Sequence, residues 1–159
     1  MSSYTGHRSV ELNENSIDQS GENPTNSNTD IVVHVIYTDL RGTLAALQSA
    51  ETLARQLQGR ITLLAAHSVP YGLPITRPAV SLEFARQRLV DLTQQGKLQT
   101  SIQIYICRDR TVCLMQALYS KSLVVLGAKR RWWPTREGKL VKRLECAGHH
   151  IILVEPGAY

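Results

Sequence analysis

Two rhythms of apolar residues divide this chain. From Ile31 onward, unbroken apolar runs alternate with longer stretches in which apolar residues recur every three or four positions, whereas the first 29 residues carry few large apolar side chains. The runs are IVVHVIY (31–37), ITLLAAHSV (61–69), IQIYIC (102–107), SLVVLGA (122–128) and HHIILVE (149–155). Such runs, without polar alternation, suit strands buried on both faces. The intervening stretches 43–58, 81–95, 111–120 and 139–147 read as helices. The first shows the spacing best, with Leu44, Leu47, Ala50, Leu53, Ala54 and Leu57 at helical intervals and Glu51 paired i,i+4 with Arg55. Gly59, Gly96 and Gly148 are the expected stops. Asp109 or Thr111 is the expected cap of the third helix and Thr135 that of the fourth.

Strand and helix alternate throughout residues 30–159. That order predicts an α/β domain in which a five-stranded parallel sheet carries helices on both faces. Such sheets bind ligands beyond the carboxyl ends of the strands, where the strand order reverses. Residues 1–29, rich in Ser, Asn, Glu, Thr and Gly, bury too little to offset chain entropy and predict a disordered polar tail.

Composition narrows the picture without changing it. A chain of 159 residues, 43% hydrophobic and 19% charged, is one ordinary soluble domain. No apolar run approaches the roughly 20 residues of a membrane span, and no secretory signal is expected from the polar N-terminus. Three cysteines, none at zinc spacing, point to reduced thiols in the cytoplasm. Charge is divided unevenly: residues 1–30 hold one Arg against five acids, while residues 31–159 hold 17 Lys and Arg against 8 acids. An acidic tail thus precedes a basic domain, and basic domains favour anionic partners.

The stretch IYTDLRGTLAALQSAETLARQLQGRITLLAAHSVP (36–70), with the order of elements around it, resembles the universal stress protein family. In that family the first strand ends in an Asp before a long helix, and the second ends in a His-Val-like segment. The resemblance covers about 31–155. It implies the adenine nucleotide alpha hydrolase-like fold, with strand order 3-2-1-4-5 and a switch point between strands 1 and 4. Many members bind ATP there, and many dimerise through the last strand. By this resemblance Asp39 lies near an adenine, Val69 closes the second strand beside it, and Gly127 opens the phosphate-binding stretch. Lys129, Arg130, Arg131 and Gly138 follow along that stretch. Ile151, Ile152, Leu153 and Val154 form the dimer edge.

The phosphate stretch departs from the family pattern, which runs Gly-x-x-Gly and later Gly followed by Ser or Thr. In GAKRRWWPTREGK (127–139) the second glycine position is Arg130, Gly138 precedes Lys139, and the loop is about two or three residues short. Glycines there let backbone N–H groups approach an anion closely, and an Arg removes that approach. Trp132 and Trp133 are read as caps over the crevice. The loop is either a packed plug or an anion site rebuilt from guanidinium forks. The expected protein is a non-catalytic, homodimeric stress-response or regulatory module with a modified or lost nucleotide site, binding ATP or another adenine nucleotide weakly or not at all. The alternatives are a nucleotide-binding member with weak ATPase activity and a basic module for nucleic acid or an acidic protein.

Other candidate chemistry is thin. Cys107, beside Arg108 and Arg110, is either a reactive thiol or a small buried hydrophobe. His149 and His150 point to opposite faces of a strand, so one metal cannot readily use both. His34 and His67 read as core or edge histidines. No Ser-His-Asp order, carboxylate pair or Walker loop is present, so no catalytic residue and no metal site is assigned. Eight cations fall within residues 121–143 against Glu137 alone. No RNA- or DNA-binding motif accompanies them, which ranks nucleic acid below a small anion.

Overall fold

The computed structural model describes residues 8–11, 31–76, 80–119, 121–129 and 135–157. Its elements run β1 (Arg8–Glu11), β2 (Val32–Ile36), α1 (Leu40–Leu57), β3 (Arg60–Ser68), α2 (Leu82–Thr93), β4 (Thr100–Cys107), α3 (Arg110–Ala117), β5 (Leu123–Gly127), α4 (Arg136–Cys146) and β6 (His150–Val154). The sheet order is β1-β4-β3-β2-β5-β6. Strands β2 to β6 pair in parallel, so counted from Val32 the order is the expected 3-2-1-4-5. Helices lie on both faces.

The pleat assigns the apolar runs to two cores. Val33, Val35, Ile61, Leu63 and Val125 pack under α1 and α2 with Ala46, Ala50, Ala54 and Leu89. Ile36, Leu64, Val124 and Leu126 pack under α3 and α4 with Leu114, Leu140 and Leu144. Alternate residues of one strand serve opposite cores, which is why these runs show no polar alternation. The central strands β2 and β5 are buried through most of their length, which brings their carboxyl ends to one fixed place.

Helices α1, α3 and α4 begin earlier than the apolar spacing indicates. Helix α1 starts at Leu40 because Asp39 caps it, its carboxylate accepting the Gly42 N–H at 2.7 Å. Helix α4 starts at Arg136 because Thr135 caps it, its hydroxyl accepting the Gly138 N–H at 3.0 Å. Asp109 caps α3, accepting from Thr111 and Val112. At the far end of α1 it is Gln58, with φ of 52°, that takes the left-handed capping conformation, one residue before Gly59. Glu51 pairs with Arg55 at 3.8 Å and also accepts the Lys97 N–H at 2.6 Å, tying α1 to the turn before β4.

One expectation is corrected. Within the stretch read as a disordered tail, Arg8–Glu11 forms a strand antiparallel to β4, with Ser9 opposite Tyr105 and Val10 opposite Ile104. A ladder of backbone hydrogen bonds needs no apolar periodicity in the added strand, so four residues leave no mark in composition. The rest of residues 1–29 lies outside the described residues. Strand β1 covers the β4 edge of the sheet; the β6 edge has no neighbour among the described residues.

Candidate functional site

The order of strands reverses between β2 and β5, and the crevice lies beyond their carboxyl ends. Here one of the expected site residues, Gly127, meets the start of α1. The Thr38 hydroxyl donates to the Gly127 carbonyl at 2.7 Å, while the Thr38 N–H donates to the buried Thr43 hydroxyl at 3.2 Å. The first turn of α1 is thereby pressed onto the end of β5. A Cβ at Gly127 would come within 1.8 Å of the Gly42 oxygen, and one at Gly42 within 2.5 Å of the Gly127 oxygen. Gly127 is therefore needed where a helix crosses a strand end, whatever binds above it. Its partner Gly42, and Thr38, are crevice residues missed in the sequence reading. A glycine inside an amphipathic helix was the available signal.

The remaining assigned residues are already engaged or stand apart. The Asp39 carboxylate is exposed, and one of its oxygens accepts from its own helix. The Gly138 N–H is spent on Thr135. Val69 is buried, its N–H donating to the Cys107 carbonyl at 2.8 Å and its carbonyl accepting from Arg108 at 3.1 Å. Arg108 also reaches the Pro70 carbonyl and lies 5.4 Å from the Tyr71 ring centroid. Lys129 is exposed directly after β5. Arg130, Arg131, Trp132 and Trp133 lie outside the described residues. Ile151, Ile152 and Val154 are half-buried and Leu153 is exposed, all on the open edge strand.

A cation that the sequence reading passed over enters the crevice from α3. The Arg110 guanidinium donates to the Tyr37 carbonyl, just past β2, at 2.7 Å. Burial draws its pKa below the ordinary guanidinium value, and Glu137 opposes that shift more than the other neighbouring charges do. An arginine fork binds a carbonyl with one arm and leaves others for an anion. Below it Cys107 and Cys113 are both buried. The Cys107 thiol donates to the His67 carbonyl at 3.6 Å. A hydrogen bond with Cys113 draws the Cys107 pKa down and pushes that of Cys113 up. Cys107 is 1% exposed, which places it with buried structural thiols and out of reach of substrates.

At the opposite end of the same face, His34 and His149 are both 8% exposed. His149 accepts the Ser122 N–H through Nδ1 at 3.3 Å, whereas Nδ1 of His34 has no partner among the described residues. Burial, and secondarily the nearby His149, holds the His34 pKa below the usual imidazole value. His34 is a neutral core histidine near pH 7. His150, next along the chain, is exposed. Among the described residues no group of three His, Cys, Asp or Glu is placed to hold a metal.

These features define an open α/β protein with a switch-point crevice. A crystal structure of a universal stress protein in complex with cAMP is similar to it, with a TM-score of 0.50 and 14% identity over 80% of this chain and 98% of that one. The chain has the universal stress protein fold, and at that identity the likeness extends to the fold alone. No protein-family model and no curated protein matches the chain. No helix among the described residues is long and apolar enough to cross a membrane.

Proposed function

We propose that this chain is a non-catalytic, homodimeric regulatory module of the universal stress type, whose altered crevice binds adenine nucleotides weakly. One observation carries the reading. The groups that would meet base and phosphates already hold partners within the chain: Asp39 on Gly42, Val69 on Cys107 and Arg108, Gly138 on Thr135. A hydrogen bond to a charged group is worth about 1.5–3 kcal/mol, so the absence of two phosphate donors weakens ATP roughly 100-fold or more. The solved neighbour holds cAMP, which makes cAMP the second nucleotide to test. The chain's tryptophans are Trp132 and Trp133, which fall between β5 and α4 in the sequence. Titrating ATP and cAMP against their fluorescence is expected to give a Kd weaker than about 100 µM for each. Micromolar or tighter affinity would overturn the reading.

A nucleotide-binding member with weak ATPase activity is the second reading, and Arg110 is the observation in its favour. It sets a half-buried positive charge against the carboxyl end of β2. If Arg110 with Arg130 and Arg131 holds phosphate, binding will be salt-sensitive and will fall in the Arg130→Ala/Arg131→Ala variant.

The proposed dimer forms through β6. An apolar strand with an open edge invites pairing, and Leu153 is 44% exposed on it. Leu153→Lys is expected to convert a dimer to monomer in sedimentation without loss of helical signal. A wild-type chain that sediments as a monomer at high micromolar concentration removes this part of the proposal.

A further inference from the structure

Helices α3 and α4 share one face of the sheet but pack on different strands, and a groove of about 830 Å³ runs between them. That is within the size range of small-molecule sites. Helix α3 contributes Thr111 and Met115; α4 contributes Lys139, Lys142 and Arg143, then Cys146 and Ala147. Leu114, Leu140 and Leu144 are fully buried beneath, so the groove is a furrow above a closed core.

Both helices start at the carboxyl ends of strands, so their N-terminal ends lie together. Thr111 and Lys139 therefore mark one end of the groove, with Lys142 and Arg143 a turn further on. Met115, a turn along α3, faces Lys142 and Arg143 across the groove, and Cys146 and Ala147 form the other end, which is apolar. Lys139, Lys142, Arg143 and Cys146 follow i, i+3, i+4, i+7 spacing and share one side of α4. Among the described residues the three cations have no ion-pair partner, and no carboxylate lines the groove. Lys139, in the first turn of α4, also opposes the helix dipole, so helix stability does not account for it.

We infer that the α3–α4 groove binds an amphiphilic organic anion of the medium-chain fatty-acid class. The carboxylate sits among Lys139, Lys142 and Arg143, and the alkyl chain lies along Met115, Cys146 and Ala147. Charge complementarity selects the anion. The apolar end selects a chain over a bare ion, because an ion would leave that surface in water. From Lys139 to Ala147 the groove spans about 12 Å of helix rise, the reach of a chain of medium length. The basic end of the groove adjoins the crevice, since Thr111 follows Arg110 and Lys139 follows Gly138, but the residues lining the two are different.

Cys146 supplies the readout, since it is exposed while Cys107 and Cys113 are buried. Its alkylation by iodoacetamide, followed by mass spectrometry on the full chain, is expected to slow several-fold when decanoate is added and not when acetate is added. The exposed-site variant Lys142→Glu/Arg143→Glu should weaken that protection roughly tenfold, because attraction becomes repulsion. Ala147→Trp, which fills the groove from an exposed position, should abolish decanoate binding measured by calorimetry, with circular dichroism unchanged. The inference is overturned if decanoate gives no protection, if acetate protects equally, or if the charge reversal leaves protection intact. Protection that rises with protein concentration alone would assign the groove to a second copy. Protection by poly-glutamate but not decanoate would assign it to an acidic protein, and either result also overturns the inference.

Discussion

The crevice and the α3–α4 groove are both concave and both basic, yet they differ in what their polar groups are doing. In the crevice the cap carboxylate of Asp39, the Gly138 N–H, both backbone groups of Val69 and the Gly127 carbonyl all have partners inside the chain. In the groove Lys139, Lys142 and Arg143 have none among the described residues. A backbone N–H already hydrogen-bonded must lose that bond to take a ligand, and the exchange gains little. A solvated cation beside an apolar surface gives up only water. The region that family resemblance marks as a site is thus the more closed of the two, and the region without any motif is the more available.

The sharpest way to break this comparison is Gly127→Ala. If the crevice glycine serves packing, its new Cβ meets the Gly42 backbone at 1.8 Å. Backbone collisions of that kind cost about 3 kcal/mol or more, which lowers Tm by roughly 6–12 °C in a domain of this size. A variant that melts with wild type would return Gly127 to a phosphate-binding role. Arg110→Ala comes next. It leaves the Tyr37 carbonyl without its charged donor at 2.7 Å, and stability should fall by about 1.5 kcal/mol in denaturant unfolding. Arg110→Lys should recover part of that, since charge returns without the fork. An Arg110→Ala variant of full stability that loses all ATP binding would show the side chain reserved for a ligand.

Asp39→Ala is expected to be milder. Loss of the cap costs about 1 kcal/mol of stability, and nucleotide affinity should stay the same in fluorescence titration. A large loss of affinity would place the carboxylate on the base instead of the helix. The smallest effect near neutrality is a pH dependence. His34 has its pKa held below 6.5 in the fold, so the unfolded chain takes up the proton first. Stability is full above about pH 6.5 and declines as pH falls through the lower folded value. His34→Gln should reduce the slope of the stability profile, leaving the part due to His67, whose pKa burial also lowers; a profile of unchanged slope would exclude His34 as a cause.

Much of the architecture was legible in the chain because it depends on local regularities. Five apolar runs and four helical spacings specify β2 to β6 and α1 to α4, since burial on two faces leaves its mark in consecutive residues. Caps at Asp109 and Thr135 were legible too, because a cap acts on neighbours two or three residues away. Parallel pairing followed from the length of the connections, and the 3-2-1-4-5 order from resemblance. Only the tertiary structure decided the rest. Strand β1 depends on the β4 edge that receives it. Gly127 owes its place to Gly42, 85 positions earlier in the sequence. Arg110 reaches Tyr37, and Thr38 reaches Gly127, across spans that no periodicity records. The groove exists because α3 and α4 settle on separated strands of one face. Sequence patterns register what each residue does with its near neighbours, whereas a site made of spent and unspent donors is a property of contacts between distant ones.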